Sequence, residues 1–461
     1  MDTDSSIVGL DRGYQGCEPL IIPESGHPIR ESQLDIEALK VLYRLRDAGF
    51  KGYLVGGGVR DLYLGKSPKD FDISTDARPG QLRKLFRNSR TIGRRFRLVQ
   101  VFFRGNKIIE VSTLRSQSEH DLNGPQQVLA HNNTFGTLAE DAFRRDLTIN
   151  ALFYEIETNT IIDYIGGVND LNAGVVRMVG DPHRRFTRDP VRIMRAIRHA
   201  ARKGFAIDPP TRDAIGVHAD KLLLCPASRV RDEILKDLQS GASQKWAQLC
   251  IENKIWEVLF PLYKPCFHGK DRQNIINELY GLLNVLDRLH GLQTDTRQVV
   301  IPEYMLFAAL LLPWAIRRFN LLEVQIRGKG YHLLNKKIRA DLDAYIGEQF
   351  NIKRMAKDAL AILMVNLPTF HQLENGGNMP KWLKRKSYYH DCTRFYAIYR
   401  EALGEGEVEV EPRSFLREQP QQEAIVLKPE NEAPNKKPGR RGVNPAFSSQ
   451  KQGVFGLRNR G

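Results

Sequence analysis

The stretch that most constrains this chain is Tyr53–Ile73, YLVGGGVRDLYLGKSPKDFDI. A short apolar run, Tyr53–Val55, ends in Gly56-Gly57-Gly58 and then Val59-Arg60-Asp61. Further on, a second short strand is expected to carry Asp70 and Asp72 with one residue between them. Residues i and i+2 of a strand face the same way. This spacing therefore sets two carboxylates side by side, the arrangement that holds divalent cations against a polyphosphate. The glycines, Gly56 and Gly57 among them, let backbone N–H groups approach an anion, and Arg60 adds a fixed positive fork. A phosphate-binding loop and a metal-binding strand in one hairpin-sized unit outline a nucleotidyl-transfer site.

Other positions extend that outline. Glu110 sits among Ile108, Ile109 and Val111 on an expected strand, where a carboxylate is costly unless it meets a metal or a cation. It reads as the third acid of a two-metal site, or as a salt-bridge partner of Arg97 or Arg115. Arg144-Arg145-Asp146, followed by Thr148, Asn150 and Ala151, packs polar groups just ahead of a buried strand. Asp146 suits a ribose hydroxyl and Arg145 a phosphate; the alternative is a helix-to-strand capping network using the same residues, Asn150 included. Asp189-Pro190-Val191-Arg192 opens an amphipathic helix, Pro190–Lys203, with Arg192, Arg195 and Arg198 on one stripe. Asp189 and Arg192 together offer a base edge both donors and acceptors, while Asp189 equally suits an N-cap. Gly93-Arg94-Arg95-Phe96-Arg97 places arginines around an aromatic, as an RNA backbone with a stacked base requires, or as a solvated turn allows.

The 461 residues carry a formal charge of +15. That balance predicts an anionic partner, nucleic acid first and an acidic membrane surface second. Five scattered cysteines without a CxxC pair form neither a zinc site nor a disulfide framework, which fits a reducing cytoplasm. Neither a signal peptide nor a spanning segment is expected; the longest apolar run, Met305–Trp314, is too short for a bilayer.

The expected fold class is α+β. Residues 1–31 read as a flexible leader. A helix from Ser32, as N-cap, to Gly49 feeds the first strand, and a head with a mixed sheet and helices occupies 32–165. A helical neck follows at 166–240 and an all-helical body at 241–403. The tail, 404–461, turns from acidic to basic and reads as disordered. Its Lys436, Lys437, Arg440 and Arg441 suit salt-sensitive, sequence-independent phosphate contacts.

The motifs GGGVRD (56–61), DFD (70–72), EVSTLR (110–115), RRDLTINALFY (144–154), DYIGGVNDL (163–171) and RDPVRIMRAIR (188–198) resemble, in order, the class II nucleotidyltransferases of the polymerase β superfamily. That family contains CCA-adding tRNA nucleotidyltransferases and bacterial poly(A) polymerases. TIGRRFRLVQVFF (91–103) and residues 38–75 look like the poly(A) polymerase branch. The resemblance implies a polymerase β-like head, with magnesium on Asp70 and Asp72 and Glu110 as third acid. It further implies Asp146 near the ribose, Asp189 and Arg192 in the nucleotide pocket, and one site that selects ATP without a template. The activity implied is addition of AMP to RNA 3′ ends, with CCA addition to tRNA as the alternative. Partners expected are ATP, the 3′ ends of messenger, regulatory or structured RNA, and the RNA-degradation machinery. Three positions depart from the family pattern: Arg188 stands where Glu is usual, Gln100 where His is usual and Leu147 where Phe is usual.

Overall fold

The computed structural model describes residues 17–93, 97–116, 135–292, 297–325, 328–374, 380–408 and 416–418. The chain divides into two units, Met1–Gln419 and Pro420–Gly461; the second lies outside the described residues.

Eight strands form the head sheet: β1 (Leu20–Ile22), β2 (Gly52–Val55), β3 (Asp72–Thr75), β4 (Ser89–Ile92), β5 (Leu98–Phe102), β6 (Ile108–Thr113), β7 (Phe153–Glu155) and β8 (Thr160–Asp163). Their order across the sheet is β1-β8-β7-β2-β3-β6-β5-β4. Only the β3–β6 pair is parallel, so the sheet is mixed. One face carries Leu54, Ile73, Val111 and Val99 in a single row of register, all buried. Helix α1 (Ile36–Asp47) turns Ala38, Val41, Leu42 and Leu45 into the same core. Burial of each such Leu or Val contributes roughly 1.5–3 kcal/mol. Gly52 lets β2 pack closely here, since a Cβ would lie 3.0 Å from Leu42 Cδ2 and 3.1 Å from Leu45 Cδ1.

Two sequence expectations shift here. The α1 cap is Asp35, whose Oδ1 accepts from the N–H groups of Glu37 and Ala38; Ser32 lies in a preceding turn, Glu31–Gln33. Part of the expected leader is ordered: β1 pairs antiparallel with β8, Leu20 opposite Asp163. The reason is the exposed edge of β8, which any short apolar strand can satisfy. Ile29, fully buried, and a 2.8 Å contact from His27 Nε2 to the Asn159 carbonyl oxygen anchor the segment.

The neck begins with α5 (Gly167–Ala173), α6 (Pro182–Arg188) and α7 (Val191–Lys203), and continues through α8 (Pro209–His218) and α9 (Ala227–Leu238). The neck and body are not wholly helical, contrary to expectation. Val175–Val176 (β9) and Ala206–Ile207 (β10) pair in parallel, and in the body Arg297–Val299 (β11) pairs with Leu416–Glu418 (β12). The body is otherwise helical. Its longest apolar run lies in a helix, Glu303–Phe319, that is buried from Met305 to Ile316. A helix apolar all round belongs at the centre of a bundle, and this one packs against the helices Arg272–Gly291 and Arg354–Glu374. Among the described residues, no helix is long and apolar enough to cross a membrane.

Candidate active site

The second face of the sheet buries a smaller apolar cluster around Tyr53, Val55 and Phe153, and beside it carries a row of polar side chains. Val55, Asp72, Glu110 and Gln100 stand opposite one another on β2, β3, β6 and β5. Residues paired across strands share a face, so Asp72 and Glu110 are neighbours by register. Asp70 does not sit on the strand, as the spacing suggested: β3 starts at Asp72, and Asp70 is exposed just ahead of it. Asp72 reaches solvent on its open side, but protein surrounds much of the carboxyl. That desolvation, then the charges of Glu110 and Asp70, push it up to about 6 against the pull of Arg145. Glu110 meets neither Arg97 nor Arg115 in an ion pair; Gln100 Nε2 donates to its Oε1 at 2.9 Å. Its apolar neighbours Ile109 and Val111 face the opposite side, so register rather than burial sets the position of this acid.

Behind this row lies a cationic brace. Asp141, fully buried on helix α4 (Leu138–Arg144), takes Arg144 Nε at 2.6 Å and Arg145 Nη2 at 2.9 Å. Burial would raise the Asp141 carboxyl, but Arg145 and Arg144 outweigh it and hold it below the usual range. Arg145 also donates to Ser74 Oγ and to the Asn150 carbonyl oxygen, each at 3.3 Å, and stacks 5.0 Å from the Phe153 ring centre. It thus lies under the glycine turn. Gly56 has φ +69°, and a Cβ there would meet Arg145 Nη1 at 3.4 Å. Helix α2 (Gly57–Tyr63) begins inside the glycines. Its first-turn N–H groups have no carbonyl partner within the helix.

Arg60 does not present a fork to solvent. It is 5% exposed, pairs with Asp61 at 3.0 Å, donates to Asn150 Oδ1 at 2.5 Å and lies 3.3 Å from His199 Nδ1. Asn150 Nδ2 in turn lies 3.5 Å from Asp146 Oδ1 and 3.4 Å from His199 Nε2. Burial, then the Arg60 charge, push the His199 imidazole down to about 3, leaving the neutral ring that accepts from Arg60. Lys203, at the far end of α7, closes on Asp61 at 2.5 Å. Asp146 accepts from the Leu147 N–H at 2.8 Å and from Arg195 at 3.2 Å. Burial alone would raise its carboxyl; Arg195, Arg192 and His199 hold it well below the usual carboxylate range.

Asp189 caps no helix with its side chain. It ends α6, and its carboxylate binds Arg229 of α9 at 2.8 Å and lies 3.8 Å from Arg192 Nε. Arg192 also donates to the Arg145 carbonyl oxygen at 3.4 Å. The brace for Arg192 is therefore Asp189 itself, next to the departing Arg188. Arg198 leaves the expected stripe and pairs with Glu233 and Asp237 of α9. Arg94 and Arg95, like Lys436, Lys437, Arg440 and Arg441, lie outside the described residues. The residues that motif reading passed over are Asp141, His199 and Arg229, while Gln100 was noted only as a departure from the family pattern, without its link to Glu110. Asp141 and His199 stand four residues from Arg145 and Arg195, a helical spacing that was legible; Arg229 carried no local signal.

Among the described residues, no three His, Cys, Asp or Glu side chains converge as a metal cage. Asp72 and Glu110, with Asp70 beside them, supply hard oxygen donors whose mutual repulsion Arg145 offsets only in part. Such a set fits magnesium, which commonly takes one or two carboxylates and completes its shell with phosphate oxygens and water.

Residues 52–177 match the Poly A polymerase head domain, and residues 204–267 match the probable RNA and SrmB-binding site of polymerase A. Poly(A) polymerase I of Escherichia coli is 46% identical over 300 residues, a stretch spanning 63% of each chain. The CCA-adding enzyme of Bacillus subtilis is 36% identical over 243 residues, 52% of this chain and 58% of that one. Among solved structures, the Bacillus stearothermophilus CCA-adding enzyme in complex with CTP superposes with a TM-score of 0.59 at 23% identity, over 80% of this chain and 78% of that chain. That likeness establishes the shared fold. Residues 52–177 are thus similar to that head domain and residues 204–267 to that RNA-binding segment, and the chain spans under two thirds of the length of the poly(A) polymerase I it matches.

Proposed function

We propose that this chain is a template-independent polymerase that adds AMP from ATP to RNA 3′ ends and releases pyrophosphate. The observation that carries the reading is the register that seats Asp72 beside Glu110, with Asp70 just ahead of the strand. Asp70 and Asp72 would hold magnesium, with Glu110 as third acid; the bound ions would activate the 3′-hydroxyl and neutralise triphosphate charge. The first-turn amides after Gly56 and Gly57 receive a phosphate, while Arg145 and Arg60 brace that turn and Asn150 from behind. Asp146, fixed by Arg195 and the Leu147 N–H, directs its carboxylate to a ribose hydroxyl. Asp189 and Arg192 present paired acceptor and donor to a base edge.

In this reading the head is 32–165, the neck 166–240, the body 241–403 and the tail 404–461. RNA is held by the neck and body, by Arg94 and Arg95, and by the tail cations Lys436, Lys437, Arg440 and Arg441. The protein works in the cytoplasm on messenger, regulatory or structured RNA, beside the RNA-degradation machinery. The higher identity to poly(A) polymerase I than to the CCA-adding enzyme, 46% against 36%, supports adenylate addition. The competing reading is CCA addition, favoured by the fold neighbour. Purified protein given tRNA lacking its CCA end, with CTP and ATP, separates the two. Polymerase activity predicts an adenylate ladder without CTP use; CTP incorporation that stops after a defined addition overturns it.

A further inference from the structure

The acid row does not end with the acids. Gln100 stands directly opposite Glu110 in the antiparallel β5–β6 pair and donates Nε2–H to Oε1 at 2.9 Å. Arg90 follows it on β4, opposite Gln100, and makes no ion pair with Glu110. Among the described residues, Glu110 has no ion-pair partner, and Gln100 is the side chain that holds it. A neutral amide differs from a lysine or arginine at this place. It fixes a carboxylate with three side-chain torsions while leaving the negative charge and Oε2 available.

We propose that Gln100 is a positioning residue that locks Glu110 in register with Asp72, so that the two carboxylates seat a divalent cation before nucleotide arrives. The proposal rests on the reading of Glu110 as the third acid. Partners that orient a metal ligand commonly change metal affinity 10- to 100-fold when removed, a range within which the loss of one neutral hydrogen bond falls at roughly the lower end. Gln100→Leu removes the donor at similar volume on a half-buried strand position. Gln100→His, measured at pH 8, restores a neutral N–H donor.

The test is Mn²⁺ titration of the nucleotide-free full chain, followed by electron paramagnetic resonance, beside the Mg²⁺ dependence of nucleotide addition. Gln100→Leu is expected to weaken Mn²⁺ binding roughly tenfold. It should raise the half-saturating Mg²⁺ by the same factor, with kcat at saturating Mg²⁺ and RNA affinity largely kept. Gln100→His should restore both within about twofold of the unaltered chain. Unchanged Mn²⁺ affinity in Gln100→Leu overturns the proposal. So does a loss that Gln100→His fails to restore while the thermal midpoint falls, which marks a purely structural role. Glu110→Gln that binds Mn²⁺ and adds nucleotide like the unaltered chain instead overturns the assignment of Glu110 itself.

Discussion

The acid row of β3 and β6 and the network tying α7 to the head follow opposite electrostatic plans. In the row, Asp72 and Glu110 repel each other at adjacent register positions, and a neutral amide is the partner of Glu110. In the network, Asp61 meets Arg60 and Lys203, Asp146 meets Arg195, and Asn150 joins Arg60 to His199. Like charges held together by strand register cost stability unless something positive arrives. Buried groups that are paired and hydrogen-bonded cost stability when a partner is taken away. On the proposed function, the first region is the one suited to receive a cation, and the second holds its own shape.

Substitution should separate the two plans. Asp72→Asn is expected to lower nucleotide addition roughly a thousandfold, several kcal/mol of barrier. The same change should leave the unfolding free energy level or raise it by up to about 1 kcal/mol, because it removes a repulsion. Paired single-turnover and denaturant measurements check both; a marked loss of stability would put Asp72 in the wrong class. Arg60→Ala should do the reverse, lowering the unfolding free energy by about 3 kcal/mol by leaving buried partners unmatched. If Arg60 touched phosphate instead, the KM for ATP would rise with stability unaltered.

The smallest effect concerns pH. Asp141 has a folded value below its unfolded value near 3.8, so the unfolded chain binds more protons in that window. Its stabilisation is present above about pH 4 and lost as pH falls through the folded value. Denaturant midpoints of Asp141→Asn should start lower at pH 7 and fall less steeply below pH 4 than those of the unaltered chain. Parallel curves would contradict the buried-pair account.

Much of the acid row was legible in the sequence. The Gly105-Asn106 turn, with φ of +73° and +59°, fixes the β5–β6 register that sets Gln100 against Glu110. What spacing could not give was the parallel β3–β6 pairing, because those strands are not joined by a hairpin. It also misplaced Arg60: a cation after glycines reads as a phosphate ligand, and only tertiary packing against α7 turns it inward. Helix periodicity located α7 but did not divide Arg195, which faces Asp146, from Arg198, which faces α9. Asp35 displaced Ser32 as cap since both fit the composition rule and only geometry chooses.

The most direct measurement of the central claim is incorporation of each of the four nucleoside triphosphates separately onto a generic RNA primer with magnesium. The account predicts extended ladders with ATP, little with the others, and none with ATP in Asp72→Asn at equal RNA affinity. Addition of CTP as readily as ATP, or undiminished addition by Asp72→Asn, would contradict it.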